Sequence, residues 1–376
     1  MTEKETILLV AGGTGGHFFP AEALGSVLTE RGFDVHLLTD ERIRPLIKTF
    51  SSDHVHIIRS ATFFGKNPLK LICGLSQLLC GMYQSRRLIR HCKPCLVAGF
   101  GGYPTLPPLY VATRMRIPTF IHEQNAVLGR TNRFLAPRVN VIAGGFLKVT
   151  GKFSGKTIIT GNPLRAEVIK AASIPYRAAR GNKPFSLLVF GGSQGATFFS
   201  KILPQALALI DSSVRNRLFI IQQARLSDLG RLRESYEKLG IKADIRFFFS
   251  NMPWHIAQAH YIIARSGALT VAEVAAIGRP ALMVPYPDSL DNDQMQNAAM
   301  FALSGGIDVV RQEQLMPERL ATFIRNAIDD PDRLESMAEA TRFAACSSIM
   351  ATERLADVTQ GIIAGKSVDM MKEEMA

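Results

Sequence analysis

A short apolar run that breaks into a glycine-rich loop and then into a helical pattern occurs twice in this chain. The first copy is Ile7-Leu8-Leu9-Val10-Ala11, followed by Gly12-Gly13-Thr14-Gly15-Gly16-His17; after Pro20 the apolar spacing turns helical until Gly32. The second runs from Ser186 to Phe190 into Gly191-Gly192-Ser193-Gln194-Gly195-Ala196, then helically to about Leu209. Unbroken apolar runs of this length read as strands buried on both faces, which requires a parallel sheet covered by helices. Further runs at 35–38, 55–58, 96–98 and 119–121 extend the first series, and runs at 218–221, 245–248, 261–264, 281–284 and 309–310 the second. Strands alternating with helical segments predict an α/β chain of two doubly wound, Rossmann-like domains. At about 150 residues per domain, 376 residues accommodate both. The link is expected near Gly161-Asn162-Pro163-Leu164-Arg165, where proline interrupts regular structure, giving domains 1–165 and 166–349. Residues 351–364 are again helical in pattern, and the polar end from Lys366 is expected to fray.

Composition narrows the partners. Apolar residues make up 47% of the chain and charged residues 20%, which excludes disorder for its bulk. A formal charge of +12 favours an anionic partner. Basic and aromatic residues do not alternate along any segment, so no nucleic-acid surface is expected. The start is too polar for a signal peptide and no stretch of about 20 apolar residues exists, so a cytoplasmic location is expected. Cys92 and Cys95 form a CxxC that could be redox-active or half a metal site. No second such pair exists, and Cys95 opens an apolar run, so both are read as small core residues.

Several loops carry candidate chemistry. Backbone N–H groups of residues 12–16, backed by a helix N-terminus, can approach an anion. The loop is not a Walker loop, because His17 stands where Lys would be needed, and Phe18 replaces a glycine of the dinucleotide fingerprint. His17 is a candidate general base or, equally, a packing residue. Ser193 and Gln194 add hydroxyl and amide donors to the second loop. Gly267 again divides a strand from a helix, in the run Arg265 to Glu273. Glu273 could accept two vicinal hydroxyls, as of a ribose, or be a solvated helix charge. His122-Glu123-Gln124-Asn125 follows a strand and is expected to point into the crevice outside the strand ends, a buried structural network being the rival. Asp288, Asp291 and Asp293 lack the glycine and terminal Glu of a calcium loop, and no metal site is expected there.

Together the segments AGGTGGH (11–17), GFGGY (99–103), HEQN (122–125), GNPLR (161–165), GGSQGA (191–196) and RSGALTVAE (265–273) resemble the MurG family. Six motifs in register over nearly the whole chain are highly specific. The resemblance implies a GT-B glycosyltransferase: two Rossmann-like domains flanking a cleft, with a last helix at about 350–365 returning to the N-terminal acceptor domain. The implied reaction is inverting transfer of GlcNAc from UDP-GlcNAc to the C4 hydroxyl of MurNAc in lipid I, forming lipid II. By this resemblance Ser193 contacts phosphate, Asn125 and Arg165 border the donor, and Glu273 holds the ribose. The helix start Ala268, Leu269, Thr270, Val271 and Ala272 faces the diphosphate, and Gln294 reads the GlcNAc hydroxyls. Phe249 stands where backbone reads the uracil edge. Thr14, Gly15 and Gly16 belong with the donor contacts and also flank the acceptor, beside Gly13, Gly101, Gly102 and Tyr103. His17 is the candidate base; no cofactor and no protein-bound metal are expected.

Two positions depart from the family pattern. Gln223-Ala224-Arg225 lacks the glycine of a Gln-Ser/Thr-Gly loop, which puts the local backbone path in question, and residues 288–293 are acidic where a basic residue is usual. Phe63, Phe64 and Lys66 lead into a helical stripe of Leu69, Ile72, Leu75, Leu78, Leu79 and Met82, flanked by Lys70, Arg86, Arg87 and Arg90. Such a segment can lie on an anionic membrane, each basic residue contributing about 1 kcal/mol. The expected place is therefore the cytoplasmic face of the cell membrane, with other cell-envelope synthesis proteins as candidate partners. The rival readings are a UDP-GlcNAc 2-epimerase of the same fold and a non-catalytic nucleotide-sugar sensor.

Overall fold

Among the described residues every strand pairs in parallel. The computed structural model describes residues 4–58, 68–192, 196–345 and 348–375, without the side chains of 68–73, 75 and 290. It divides into two units, Met1–Arg165 with Met350–Ala376, and Ala166–Ile349.

The first unit holds β1 (Thr6–Val10), β2 (Asp34–Thr39), β3 (Val55–Ile57), β4 (Leu96–Gly99), β5 (Thr119–Glu123), β6 (Val141–Gly144) and β7 (Thr157–Ile159). They form one sheet in the order β3-β2-β1-β4-β5-β6-β7. Leu9 of β1 stands beside Leu37 on one side and Ala98 on the other, so the direction of winding reverses at β1 and β4. Period-two alternation sends Ile7 and Leu9 to one face, against Leu24, Leu355 and Val358, and Leu8 and Val10 to the other, against Leu38, Ile89 and Leu109.

The second unit holds β8 (Phe185–Phe190), β9 (Leu218–Gln223), β10 (Lys242–Arg246), β11 (Tyr261–Ala264), β12 (Ala281–Met283) and β13 (Ile307–Val309). Their order is β10-β9-β8-β11-β12-β13, with the reversal between β8 and β11. Phe185, Leu187 and Val189 pack with Leu203, Leu320 and Ile324.

Three details differ from the sequence expectation. Strands β6 and β7 were not expected; they are four and three residues long, too short to show a periodicity. Strand β10 ends at Arg246, and Phe247 and Phe248 beyond it are exposed, so that apolar run is loop rather than strand. The polar end does not fray. It forms a helix, Val368–Glu373, whose first turn is capped by Ser367 and whose Met371 is buried in the core of the first sheet. The preceding helix, Ala351–Ile363, is pinned to Arg31, which reaches Glu353 at 2.6 Å and Asp357 at 2.7 Å.

Candidate active site

In the first unit the glycine loops at the carboxyl ends of β1 and β4 touch backbone to backbone. A Cβ on Gly102 would sit 2.4 Å from the carbonyl oxygen of Gly12, and Gly102 has φ +80°, so no other residue fits there. The helix that follows the first loop, α1 (Gly15–Glu30), has no side-chain cap and no acidic residue in its first turn; His17 and Phe18 give their N–H groups to the Thr14 carbonyl, which leaves those of Gly15 and Gly16 to an incoming anion. His17, in that first turn, lies with its ring against Gly101, where an added Cβ would come within 3.0 Å of Nδ1.

The orientation of the His17 ring follows from a chain of hydrogen bonds. The carbonyl of Gly161 can only accept, so His122 donates its Nε2–H to it at 3.1 Å. His122 Nδ1 is then bare, and Gln124 Nε2 donates to it at 3.1 Å and to the Phe100 carbonyl at 3.0 Å. With its nitrogen committed, Gln124 turns Oε1 toward His17, which donates Nδ1–H at 3.1 Å. The remaining nitrogen of a neutral His17, Nε2, therefore carries a lone pair, as a general base requires. His122 is fully buried, and desolvation pushes its pKa down to about 4, which keeps this chain in its neutral form.

Residues 122–124 are thus a buried network and do not line an open crevice as expected. Glu123 has its carboxylate turned inward, accepting from the Asn125 and Gly129 backbone and from Asn132 Nδ2, at 3.1, 2.8 and 2.9 Å. Asn125 is partly exposed and donates Nδ2–H to Glu123 at 2.9 Å. The Arg165 guanidinium stacks 4.0 Å over Phe19, whose ring also abuts Gly15. The structure thereby gathers Gly12–Gly13, Thr14 to His17, Gly101–Gly102 and Arg165 at one end of the first sheet. Arg42 was missed from sequence. Held by Asp40 at 2.5 Å, its half-exposed guanidinium lies next to Gly13, and only the pairing of β2 with β1 places it there.

In the second unit, Gly192 (φ +86°) follows β8 and precedes the helix Thr197–Ala208; Ser193 lies outside the described residues. After β11 the chain passes through Gly267 into the helix Ala268–Ile277, again with no acidic residue or side-chain cap at its start. Of the residues expected to face a diphosphate, Ala268, Leu269 and Thr270 have first-turn N–H groups without intrahelical partners by geometry. Val271 and Ala272 follow them in the same helix. Both side chains are buried, and the Val271 N–H is already given to Gly267 at 3.0 Å. Glu273 is buried on the same helix. Gln294 accepts the Tyr286 N–H at 2.9 Å, and Asn297 donates to the Ser266 carbonyl at 3.2 Å, so the helix Asp293–Ala302 is fastened to this loop. Arg265 clamps the turn after β12 through the carbonyls of Val284 and Pro285, at 3.0 and 3.1 Å. Phe249 follows β10, beyond β9 in sheet order, with its ring buried against His255. Arg225 has φ −65°, so the missing glycine imposes no strain on the 223–225 turn. Ser266 was also missed: its hydroxyl is buried with no partner among the described residues, directly before Gly267.

These loops carry the motifs of known proteins. The model of the glycosyltransferase family 28 N-terminal domain matches residues 7–143, and that of the family 28 C-terminal domain matches residues 186–356. The UDP-N-acetylglucosamine–N-acetylmuramyl-(pentapeptide) pyrophosphoryl-undecaprenol N-acetylglucosamine transferase of Brucella suis is 52% identical over 99% of this chain and 98% of its own length. The chain belongs to the MurG family. A crystal structure of Acinetobacter baumannii MurG superimposes with a TM-score of 0.74 at 28% identity, over 95% of this chain and 99% of that one. A UDP-GlcNAc 2-epimerase from Neisseria meningitidis shares the fold, with a TM-score of 0.65 at 11% identity, over 94% of this chain and 99% of that one. The architecture is thus the GT-B fold of two doubly wound domains.

The buried network predicts a pH dependence. His122 resists protonation in the folded unit, whereas the unfolded chain takes up the proton near pH 6.5. Stability is therefore fully present above pH 6.5 and falls as pH drops from there toward about 4, by up to about 1.4 kcal/mol per pH unit. Urea midpoints of the first unit across that range should show this slope, and His122→Gln should flatten it. An unchanged slope in the variant would remove His122 as its cause.

Proposed function

We propose that the chain is an inverting transferase that moves GlcNAc from UDP-GlcNAc to the C4 hydroxyl of MurNAc in lipid I, yielding lipid II. The reading rests on the bare Nε2 of His17, set by the Gly161–His122–Gln124 chain at the junction of two glycine loops. The substrates are those that the MurG relatives are named for. His17 Nε2 takes the C4 hydroxyl proton while that oxygen attacks the anomeric carbon and the bond to the diphosphate breaks, so UDP departs with the electron pair.

The donor belongs to the second unit in this reading and the acceptor to the first. The growing charge on UDP is met by the N–H groups at the starts of the helices Thr197–Ala208 and Ala268–Ile277, with the hydroxyls of Ser193 and Ser266. Glu273 holds the ribose and Gln294 the sugar hydroxyls, the latter through its amide nitrogen because Oε1 accepts from Tyr286. Asn125 and Arg165 border the donor. Gly13, Gly101, Gly102 and Tyr103 receive the acceptor, and Arg42 and the start of α1 suit its diphosphate. No metal is assigned a part in this scheme.

A membrane-borne acceptor calls for a membrane-facing surface. No helix among the described residues is long and apolar enough to cross a bilayer. The helix α2 (Pro68–Cys92) buries Gly81, Ser85 and Ile89. It exposes Leu79 and Tyr83 with Arg86, Arg87 and Arg90, and spacings of four, three, one and three residues put these five on one face. Met82, expected in the apolar stripe, packs on the core instead. Phe63, Phe64 and Lys66, and the side chains of Leu69, Lys70, Ile72 and Leu75, lie outside the described residues. We assign the exposed face to the anionic cytoplasmic surface of the cell membrane, as a peripheral contact.

Two experiments test the reading. Labelled GlcNAc should pass from UDP-GlcNAc to a short-chain lipid I analogue with and without EDTA. His17→Ala should lower kcat by about 10²–10⁴ while leaving the donor KM near its original value. A loss confined to KM would make His17 a binding residue, and donor binding without transfer would favour an epimerase or a sensor. Leu79→Glu with Tyr83→Glu should weaken sedimentation with vesicles containing anionic lipid but spare transfer to a soluble acceptor analogue. Unaltered sedimentation would place the membrane contact elsewhere.

A further inference from the structure

Along the β3–β2 edge of the first sheet, three histidines and a cysteine that are scattered in sequence converge. Asp34 opens β2, His36 follows on the same face, and His56 sits on the neighbouring β3, where it pairs with Leu38. His54 ends the turn before β3, and Cys92 ends α2, which packs over this face through Ile89. Ligand atoms of His36, His56 and Cys92 all lie within 4.8 Å of one another.

The protonation pattern is again set by an acceptor. That acceptor is the side chain of Asp34, which lies against two imidazoles. The carboxylate accepts from His36 Nε2–H at 3.1 Å and from His54 Nε2–H at 2.9 Å. His36 Nδ1 is therefore bare, and it lies 2.9 Å from His56 Nε2, with the two rings stacked. Two imidazole nitrogens and a cysteine sulfur thus face a common point, and a carboxylate orients one of the imidazoles from behind. That is the outer-carboxylate arrangement found behind zinc-bound histidine.

We propose that His36 Nδ1, His56 Nε2 and Cys92 Sγ bind one divalent ion of the zinc class, with Asp34 as the outer carboxylate and water completing a tetrahedron. Imidazole and thiolate together suit Zn²⁺ or Co²⁺ and not Mg²⁺ or Ca²⁺. Bonds of about 2.0–2.1 Å to nitrogen and about 2.3 Å to sulfur place tetrahedral ligand atoms roughly 3.3–3.6 Å apart, within reach of small side-chain rotations here. On binding, the Cys92 thiol proton leaves to solvent and His56 carries its ring proton on Nδ1. All three ligands are partly exposed, so the ion can enter. Cys95 takes no part: its backbone N–H is given to Thr6 at 2.8 Å, burial pushes its thiol pKa up to about 11, and its side chain packs on the opposite core. Bound metal ties the last turn of α2 to the β2–β3 edge of the sheet.

The test is titration of the full chain with Co²⁺, read by the near-ultraviolet thiolate-to-cobalt band, with Zn²⁺ competition and thermal midpoints alongside. One equivalent should raise the band, and Zn²⁺ should abolish it and raise the midpoint. Cys92→Ser should lose the band, His56→Gln should bind at least tenfold more weakly, and Asp34→Asn should lose about 10–100-fold through the outer contact alone. Circular dichroism of each variant checks the fold, and transfer activity of Cys92→Ser should equal that of the parent. No band with the parent chain, or a band that survives Cys92→Ser, overturns the proposal.

Discussion

A parallel strand can be followed by its neighbour only after a crossover along one face of the sheet, so every strand here delivers its outgoing loop to the same edge. That constraint decides where chemistry can sit. In each unit the winding reverses beside the first strand, between β1 and β4 and between β8 and β11, and the two outgoing loops diverge there. The diverging loops leave space, and helix starts point N–H groups into it. Glycine at 12, 101 and 102 in the first unit then lets the two loops close to van der Waals contact, which no side chain would allow.

Within that frame the decisive polar element is a pair of carbonyls. Gly161 and Phe100 present oxygens that can only accept, from opposite ends of a chain made by His122 and Gln124. Each alone fixes the direction of its neighbour, and the two agree. Gln124 would have to break its bonds to two carbonyls, those of Phe100 and His122, to turn its amide over. Burial makes that expensive, since an orphaned buried donor costs about 1–3 kcal/mol. The base candidate is therefore oriented by buried groups, and the motif containing residues 161–165 contributes to this chain through the Gly161 carbonyl.

Much of this was legible in the sequence because parallel sheets write themselves as unbroken apolar runs. The glycine loops after residues 11 and 190 located both units, and the motif set identified the family. What was not legible depended on pairing. Strands β6 and β7 are too short to carry a period, Arg42 meets Gly13 only because β2 lies beside β1, and the inward turn of Glu123 depends on Asn132 nine residues on. Residues 122–124 read as polar and hence as exposed; the structure satisfies them internally instead. Val271 and Ala272 show the opposite case. They share a motif with Ala268, Leu269 and Thr270, but only the first turn of a helix has N–H groups without intrahelical partners.

The same sheet geometry separates two kinds of polar cluster. At the carboxyl ends, donors suited to anions gather: helix starts, Arg42, Arg165 and the hydroxyl of Ser266. Beside β2 the order is inverted: a carboxylate gathers His36 and His54, and a ring nitrogen of His36 faces one of His56. Lone pairs converging on one point repel unless a proton or a cation lies between them. In the chain as it stands, a single proton between His36 and His56 does this, and Cys92 adds a third group that gains only when something more positive replaces that proton. The acidic stretch 288–293 offers no such convergence. Asp291 and Asn292 adopt left-handed φ values of 54° and 56°, and Asp288 and Asp291 are exposed. Acidic composition alone brings no such groups together there, whereas strand pairing and a helix end bring residues 36, 56 and 92 together, with residue 34 behind them.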